Sequence, residues 1–194
     1  MQKKAVIRKA SNKVKQAATT KKLNGIRACS VAKAMKMMIA AQRSLRAQKP
    51  AVINQRIRTI STNRNWVNAL EIDRNPAWVA PQFGESYVWG RNDPNGPAAV
   101  VARRFTLRGD IERASLFLAV DNFAIVLING RPVIIDNPQS NASFFNPGRS
   151  FSIRRFLRNG TNDIVIAAFN FPSNANRDAN NPAGVLARLE IDLD

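Results

Sequence analysis

ASLFLAVDNFAIVLINGRPV, residues 114–133, is the stretch on which the fold turns. Its apolar, β-branched runs are short enough for strands and are interrupted twice, at Asp121-Asn122 and at Asn129-Gly130. Asn and Gly both tolerate positive φ, so Asn-Gly between two such runs is a two-residue hairpin signal. The pattern predicts FAIVLI (123–128) and RPVII (131–135) as antiparallel neighbours. Asp121-Asn122 turns the preceding apolar strand into the first of them.

The same texture extends from Trp66 to the end. Further strands are expected near Ala99–Leu107, Ala114–Val120, Ser150–Ile153, Asp163–Asn170 and Gly184–Leu193. They are separated by turn chemistry at Asp93-Pro94-Asn95-Gly96-Pro97, Asn137-Pro138, Asn146-Pro147-Gly148 and Asn159-Gly160. Short strands at this spacing, with no long amphipathic helix among them, indicate an all-β jelly-roll sandwich over 66–194.

Five segments follow one another in a familiar order: WV at 78–79, VARRFTL at 101–107, the quoted stretch at 114–133, FLRNGTNDIVIAAFN at 156–170 and NPAGVLARLEI at 181–191. Together they resemble the galactose-binding-like jelly roll, as in the sugar-binding accessory domains of family 2 glycoside hydrolases and α-rhamnosidases. The resemblance covers roughly residues 76–193 and rests on the ordered set rather than on one motif. It implies a carbohydrate-binding role, and it carries no specific ligand residue onto this chain. A sugar site needs an aromatic platform, for which the candidates are Trp66, Trp78, Tyr87 and Trp89, with Phe144-Phe145 on a loop. Trp78 and Trp89 are the platform candidates carried forward, although plain core or sheet-edge packing is the favoured reading of both.

Charge divides the chain. The net charge of the 194 residues is +17, and residues 1–65 hold ten Lys, seven Arg and no acid, so they carry all of it. The thirteen arginines and thirteen acids of residues 66–194 cancel. Within this polycationic arm a helix is expected near 28–47. Val31, Met35, Met38, Gln42 and Leu45 recur at spacings of four and three and stack on one side. Val31, Met35, Met38 and Leu45 form an apolar docking face, and Lys33, Lys36, Arg43 and Arg46 lie elsewhere around the helix. Lys49-Pro50 ends it, because proline disfavours the α region in the residue before it. The basic residues expected to meet an acidic polymer or a partner are Lys3, Lys4, Arg8, Lys9, Lys13, Lys15, Lys21, Lys22, Lys33, Lys36, Arg43 and Arg46. Nucleic acid, an anionic membrane and neighbouring protein subunits are the competing partners.

Several chemistries have no residues to carry them. There is no histidine and one cysteine, Cys29, so the commonest general base, the commonest zinc ligand and any internal disulfide are missing. No nucleophile-elbow or Walker-type loop occurs. Glu71, Glu85, Glu112 and Glu190 are widely spaced, and RGDIERAS (108–115) reads as an exposed loop feeding a strand. No enzyme activity, cofactor or metal is expected. The apolar runs are too short to span a bilayer, and a secretory signal is not apparent. The acid-free N-terminus does share the composition of an organellar transit peptide.

One reading explains both halves: a non-enzymatic structural or assembly protein, a minor capsid or cement-type component of a virion or intracellular assembly. Its arm would staple it to other protein subunits or to nucleic acid. The alternative is a carbohydrate-binding module recognising glycans through the jelly roll.

Overall fold

The computed structural model describes residues 36–53, 57–136, 146–171 and 176–194. The chain divides into two compact units, Met1–Lys36 and Met37–Asp194, and every strand belongs to the second. The strands are β1 (Ala51–Ile53), β2 (Ile57–Ser61), β3 (Ala69–Glu71), β4 (Val88–Gly90), β5 (Ala98–Leu107), β6 (Ile111–Asp121), β7 (Phe123–Ile128), β8 (Arg131–Asp136), β9 (Asn146–Ser152), β10 (Gly160–Phe169) and β11 (Gly184–Leu193). One 3-10 turn, η1 (Arg154–Phe156), stands between β9 and β10.

The innermost pairing is the expected one. β7 and β8 are antiparallel, Ile128 opposite Arg131, across a turn in which Asn129 and Gly130 have φ of 52° and 79°. Around it the other pairs nest: β6 with β9, β5 with β10 and β4 with β11, all antiparallel. Such a nested ribbon, rolled up, gives the sheets β5-β10-β7-β8 and β4-β11-β6-β9. That is the two-Greek-key jelly roll. Asp121-Asn122 therefore carries the chain from one sheet to the other, whereas Asn129-Gly130 closes a hairpin within one.

Three short strands extend the sheets. β1 adds to β5 in parallel, β2 pairs with β11 and β3 with β4. Two of these, β1 and β2, lie in the stretch expected to belong to the arm. The sandwich thus begins before Trp66, because an edge strand needs only a free ladder and not an apolar run of its own.

Between the sheets, alternate residues interdigitate as the two-residue period of a strand requires. Ala99, Val101, Phe105 and Leu107 of β5 and Ile164, Ile166 and Ala168 of β10 meet Leu116, Leu118 and Val120 of β6 and Val185, Ala187, Leu189 and Ile191 of β11. The intervening residues Val100, Ala102, Val165 and Ala167 point to the other face of their sheet, yet they are at most 2% exposed. A helix, residues 36–46, accounts for this. Its Met38, Ala41 and Leu45 are buried. Met37, Ala40, Ala41 and Ser44 wall a cleft opposite Ala98 and Val100. A Cβ at Gly130 would lie 3.6 Å from the Gln42 amide nitrogen, which places the helix against the β7–β8 turn as well.

The described part of the docking face is therefore satisfied by the chain's own sandwich. Met38 and Leu45 are turned inward, while Lys36, Arg43 and Arg46 face solvent. This corrects the expectation of an intersubunit groove for these two residues: the apolar outer face of β5 and β10 already provides one. Val31 and Met35 lie outside the described residues, as do Lys3, Lys4, Arg8, Lys9, Lys13, Lys15, Lys21, Lys22 and Lys33.

Candidate functional site

The outer face of the six-stranded sheet is covered over one half and open over the other. Over the covered half lies the segment 72–87. Trp78, Tyr87, Ala119 and Leu186 pack there into a second apolar cluster, with Ile72 and Phe117 at its margin. Trp78 and Tyr87 are in ring contact, with centroids 4.8 Å apart. The Trp78 indole sits so close to β11 that a Cβ at Gly184 would come within 2.7 Å of it. Trp78 Nε1 donates to Asp121 Oδ2 at 3.0 Å, and Arg74 holds the Trp78 carbonyl at 2.7 Å. Burial pushes the Asp121 carboxyl up to about 6, against the hydrogen bonds from Trp78 and Asn122. Burial likewise pushes the Tyr87 hydroxyl far up.

This disposes of the expected platform. Trp78 is 5% exposed and Trp89 0%. A sugar stacks on an open ring face, and neither ring has one. Trp89 is a core residue whose Nε1 donates to Gly96 O at 3.1 Å. Trp66 is likewise buried, its Nε1 on Ser61 O at 2.8 Å. Phe144-Phe145 lies outside the described residues.

The open half presents two rows of side chains that no local motif announces. Strand register sets Ser61, Arg188, Phe117 and Ser150 in line across β2, β11, β6 and β9. The adjacent row is Thr59, Glu190, Ser115 and Ser152. Phe117, half-buried, is the aromatic member and stands where the apolar lid ends. Its ring lies over the β9 main chain, and a Cβ at Gly148 would fall 2.4 Å from it. Gly148, with φ of +126°, is what allows that approach.

Arg188 organises the face. Its guanidinium lies 5.0 Å from the Phe117 ring centroid. NH1 donates to Glu85 Oε1 at 3.0 Å and Nε to Glu190 Oε1 at 2.9 Å. Partial burial works against the charge, but the hydrogen bonds and charges of Glu85 and Glu190 outweigh it and raise the guanidinium pKa. The Glu85 side chain is itself 2% exposed and also accepts the Gln82 N–H at 3.0 Å and the Ser61 hydroxyl at 3.3 Å. The result is an aromatic surface, a fixed cation and a fringe of hydroxyls and carboxylate on rigid strands. Ligand sites generally combine apolar surface with a few placed polar groups. Strands hold such groups more firmly than loops do. Both glutamates accept bonds from the one guanidinium.

No protein-family model matches the chain, and no curated protein matches it. Solved structures do. A β-glucuronidase from an uncultured Clostridium sp. aligns over 76% of this chain and 31% of its own, with 13% identity and a TM-score of 0.41. The Streptomyces avermitilis α-L-rhamnosidase, solved with L-rhamnose, aligns over 64% of this chain and 12% of its own, with 21% identity and a TM-score of 0.42. A family 35 carbohydrate-binding module from an environmental isolate aligns over 70% of this chain and 97% of its own, with 14% identity and a TM-score of 0.40. The chain thus spans a third or less of the two enzymes.

The module is a jelly-roll sandwich that resembles the galactose-binding-like modules. Its nested strand pairs and the ordered motifs of residues 76–193 carry that statement. The expectation of a minor capsid or cement-type virion component is corrected here. The similar structures belong to carbohydrate-active enzymes and a carbohydrate-binding module, and nothing among them points to a virion.

Proposed function

We propose that this chain is a non-enzymatic carbohydrate-binding module that recognises glycans on the open face of its six-stranded sheet. The observation that carries the reading is the Phe117–Arg188 pair, set in a row with Ser61 and Ser150 and beside Thr59, Ser115, Ser152 and Glu190. Phe117 and the Arg188 guanidinium stacked on it together supply the surface against which a pyranose ring lies. Arg188, anchored through Nε and NH1, turns its remaining nitrogen to a sugar hydroxyl. The serines and Glu190 complete the polar contacts. The resemblance of residues 76–193 to sugar-binding accessory domains supports the same conclusion.

The basic residues ahead of the helix add a general attraction for acidic polymers, with the steep salt dependence that counterion release imposes. The sheet-face site differs in being insensitive to salt. A screen of the full chain against immobilised neutral glycans in 0.5 M salt, roughly a 4 Å screening length, tests the proposal. Retained binding to a defined glycan supports it; signal that vanishes with salt assigns all binding to the arm and overturns it.

A further inference from the structure

The end of the sandwich that holds the β7–β8 turn carries arginines that no ion pair among the described residues uses. Arg64, Arg104, Arg113, Arg149 and Arg188 each bond a carboxylate. Arg131, Arg155 and Arg158 bond none among the described residues. These three line one cleft of about 280 Å³, together with Ile128, Asn129, Phe156 and Leu157, and no Asp or Glu lines it.

The cleft stands on a part-buried amide network. Asn129 Nδ2 donates to Phe156 O and to Asn162 Oδ1, each at 2.9 Å, while its Oδ1 accepts the Asp163 N–H at 3.0 Å. Asn162 is 0% exposed. It accepts the Arg158 N–H at 3.0 Å and donates to the Arg158 carbonyl at 2.7 Å, so the main chain on both sides of that arginine is fixed. Arg158 Nε donates to Thr161 O at 3.0 Å, which orients the guanidinium and leaves both terminal nitrogens without a protein acceptor among the described residues. Arg155 is stacked 4.7 Å over the Phe156 ring. Arg131 opens β8 and is exposed.

Each guanidinium is a planar fork suited to two oxygens of an anion. A carboxylate fills one fork. Three forks, two from the loop around η1 and one from the start of β8, around an apolar floor, match an anion whose oxygens point in several directions. We propose that this cleft binds a tetrahedral oxyanion, the sulfate or phosphate ester of a small ligand, through Arg131, Arg155 and Arg158. It is distinct from the sheet face, and neither assignment depends on the other.

The test is titration of the full chain with methyl phosphate, methyl sulfate and acetate in chloride buffer, followed by NMR shifts. Saturable binding of either ester, at least fivefold tighter than acetate, is expected; which ester binds identifies the source. The double variant Arg155→Gln/Arg158→Gln should weaken it by at least tenfold. Arg131→Gln, at an exposed side chain with no protein partner among the described residues, should weaken it severalfold without disturbing the fold. Arg64→Gln removes the same charge from an exposed arginine paired with Glu71, away from the cleft, and should change nothing. The proposal fails if neither ester saturates, if acetate binds as well as the esters, or if Arg64→Gln and Arg131→Gln lose equally.

Discussion

Arg188 on β11 and Phe117 on β6 are direct cross-strand partners, and the guanidinium lies 5.0 Å from the ring centroid. The pair sits where the apolar lid over the six-stranded sheet gives way to hydroxyls and charge. Glu85, almost fully buried, depends on it for neutralisation. Replacing Arg188 by Met should therefore destabilise the fold by about 3–5 kcal/mol, the range for stranding one member of a buried ion pair. Adding Glu85→Gln should recover much of that loss. Chemical denaturation of the single and double variants checks it; a single variant as stable as the parent would contradict the assignment.

Gly148 and Gly160 separate two costs that usually come together. Both have positive φ, +126° and +91°, but only at Gly148 would a Cβ strike the Phe117 ring, and at Gly160 nothing lies within 4 Å. Gly160→Ala should cost about 1–2 kcal/mol from backbone conformation alone. Gly148→Ala should cost more, and should weaken glycan binding because it moves the ring. Equal costs would mean that the ring is not held against the β9 main chain.

The helix is expected to report on its own docking. Leu45 is 0% exposed and Ile39 49%. Leu45→Ala should lower stability by about 2–5 kcal/mol, and Ile39→Ala by less than about 0.5 kcal/mol. Thermal melts of the two variants decide it. A harmless Leu45→Ala would show that the helix face is not buried on the sandwich.

Asp121 makes stability depend on pH. Its carboxyl is raised from 3.8 to about 6, chiefly by burial. A carboxyl with a higher pKa in the folded than in the unfolded chain binds more protons when folded, between the two values. Stability therefore falls as pH rises from about 4 to about 6, and the loss persists above. Asp121→Asn keeps an acceptor for Trp78 Nε1 and removes the ionisation. The variant should gain over the parent at pH 7.5 relative to pH 4.5, by about 2–4 °C in Tm for each kcal/mol. A difference in Tm that is the same at both values would contradict the assignment.

Much of the scaffold was legible because it is written locally. Asn129-Gly130 names its turn, and the strands from Ala98 onward alternate or run apolar between Gly, Asn and Pro. β3 and β4 were not legible, since strands of three residues are defined by the ladder they join rather than by their own pattern. Nor was the destination of the Met38 and Leu45 face, because its groove is made by alternate residues of β5 and β10 that a strand pattern assigns only to "the other side". The candidate site was the least legible part. Its central row draws on positions 61, 117, 150 and 188, which only the register brings together. The favoured reading of the tryptophans holds: Trp78 and Trp89 fill space, while Phe117 holds the edge.

If Phe117 and Arg188 form a glycan-binding face, removing the ring must remove the binding. Calorimetric titration of the full chain with neutral oligosaccharides, parent against Phe117→Ala, tests this most directly. Saturable binding by the parent and a loss of at least tenfold in the variant, about 1.4 kcal/mol, with the fold intact by circular dichroism, is the predicted result. Absence of saturable binding across a broad panel, or undiminished binding by Phe117→Ala, would contradict it.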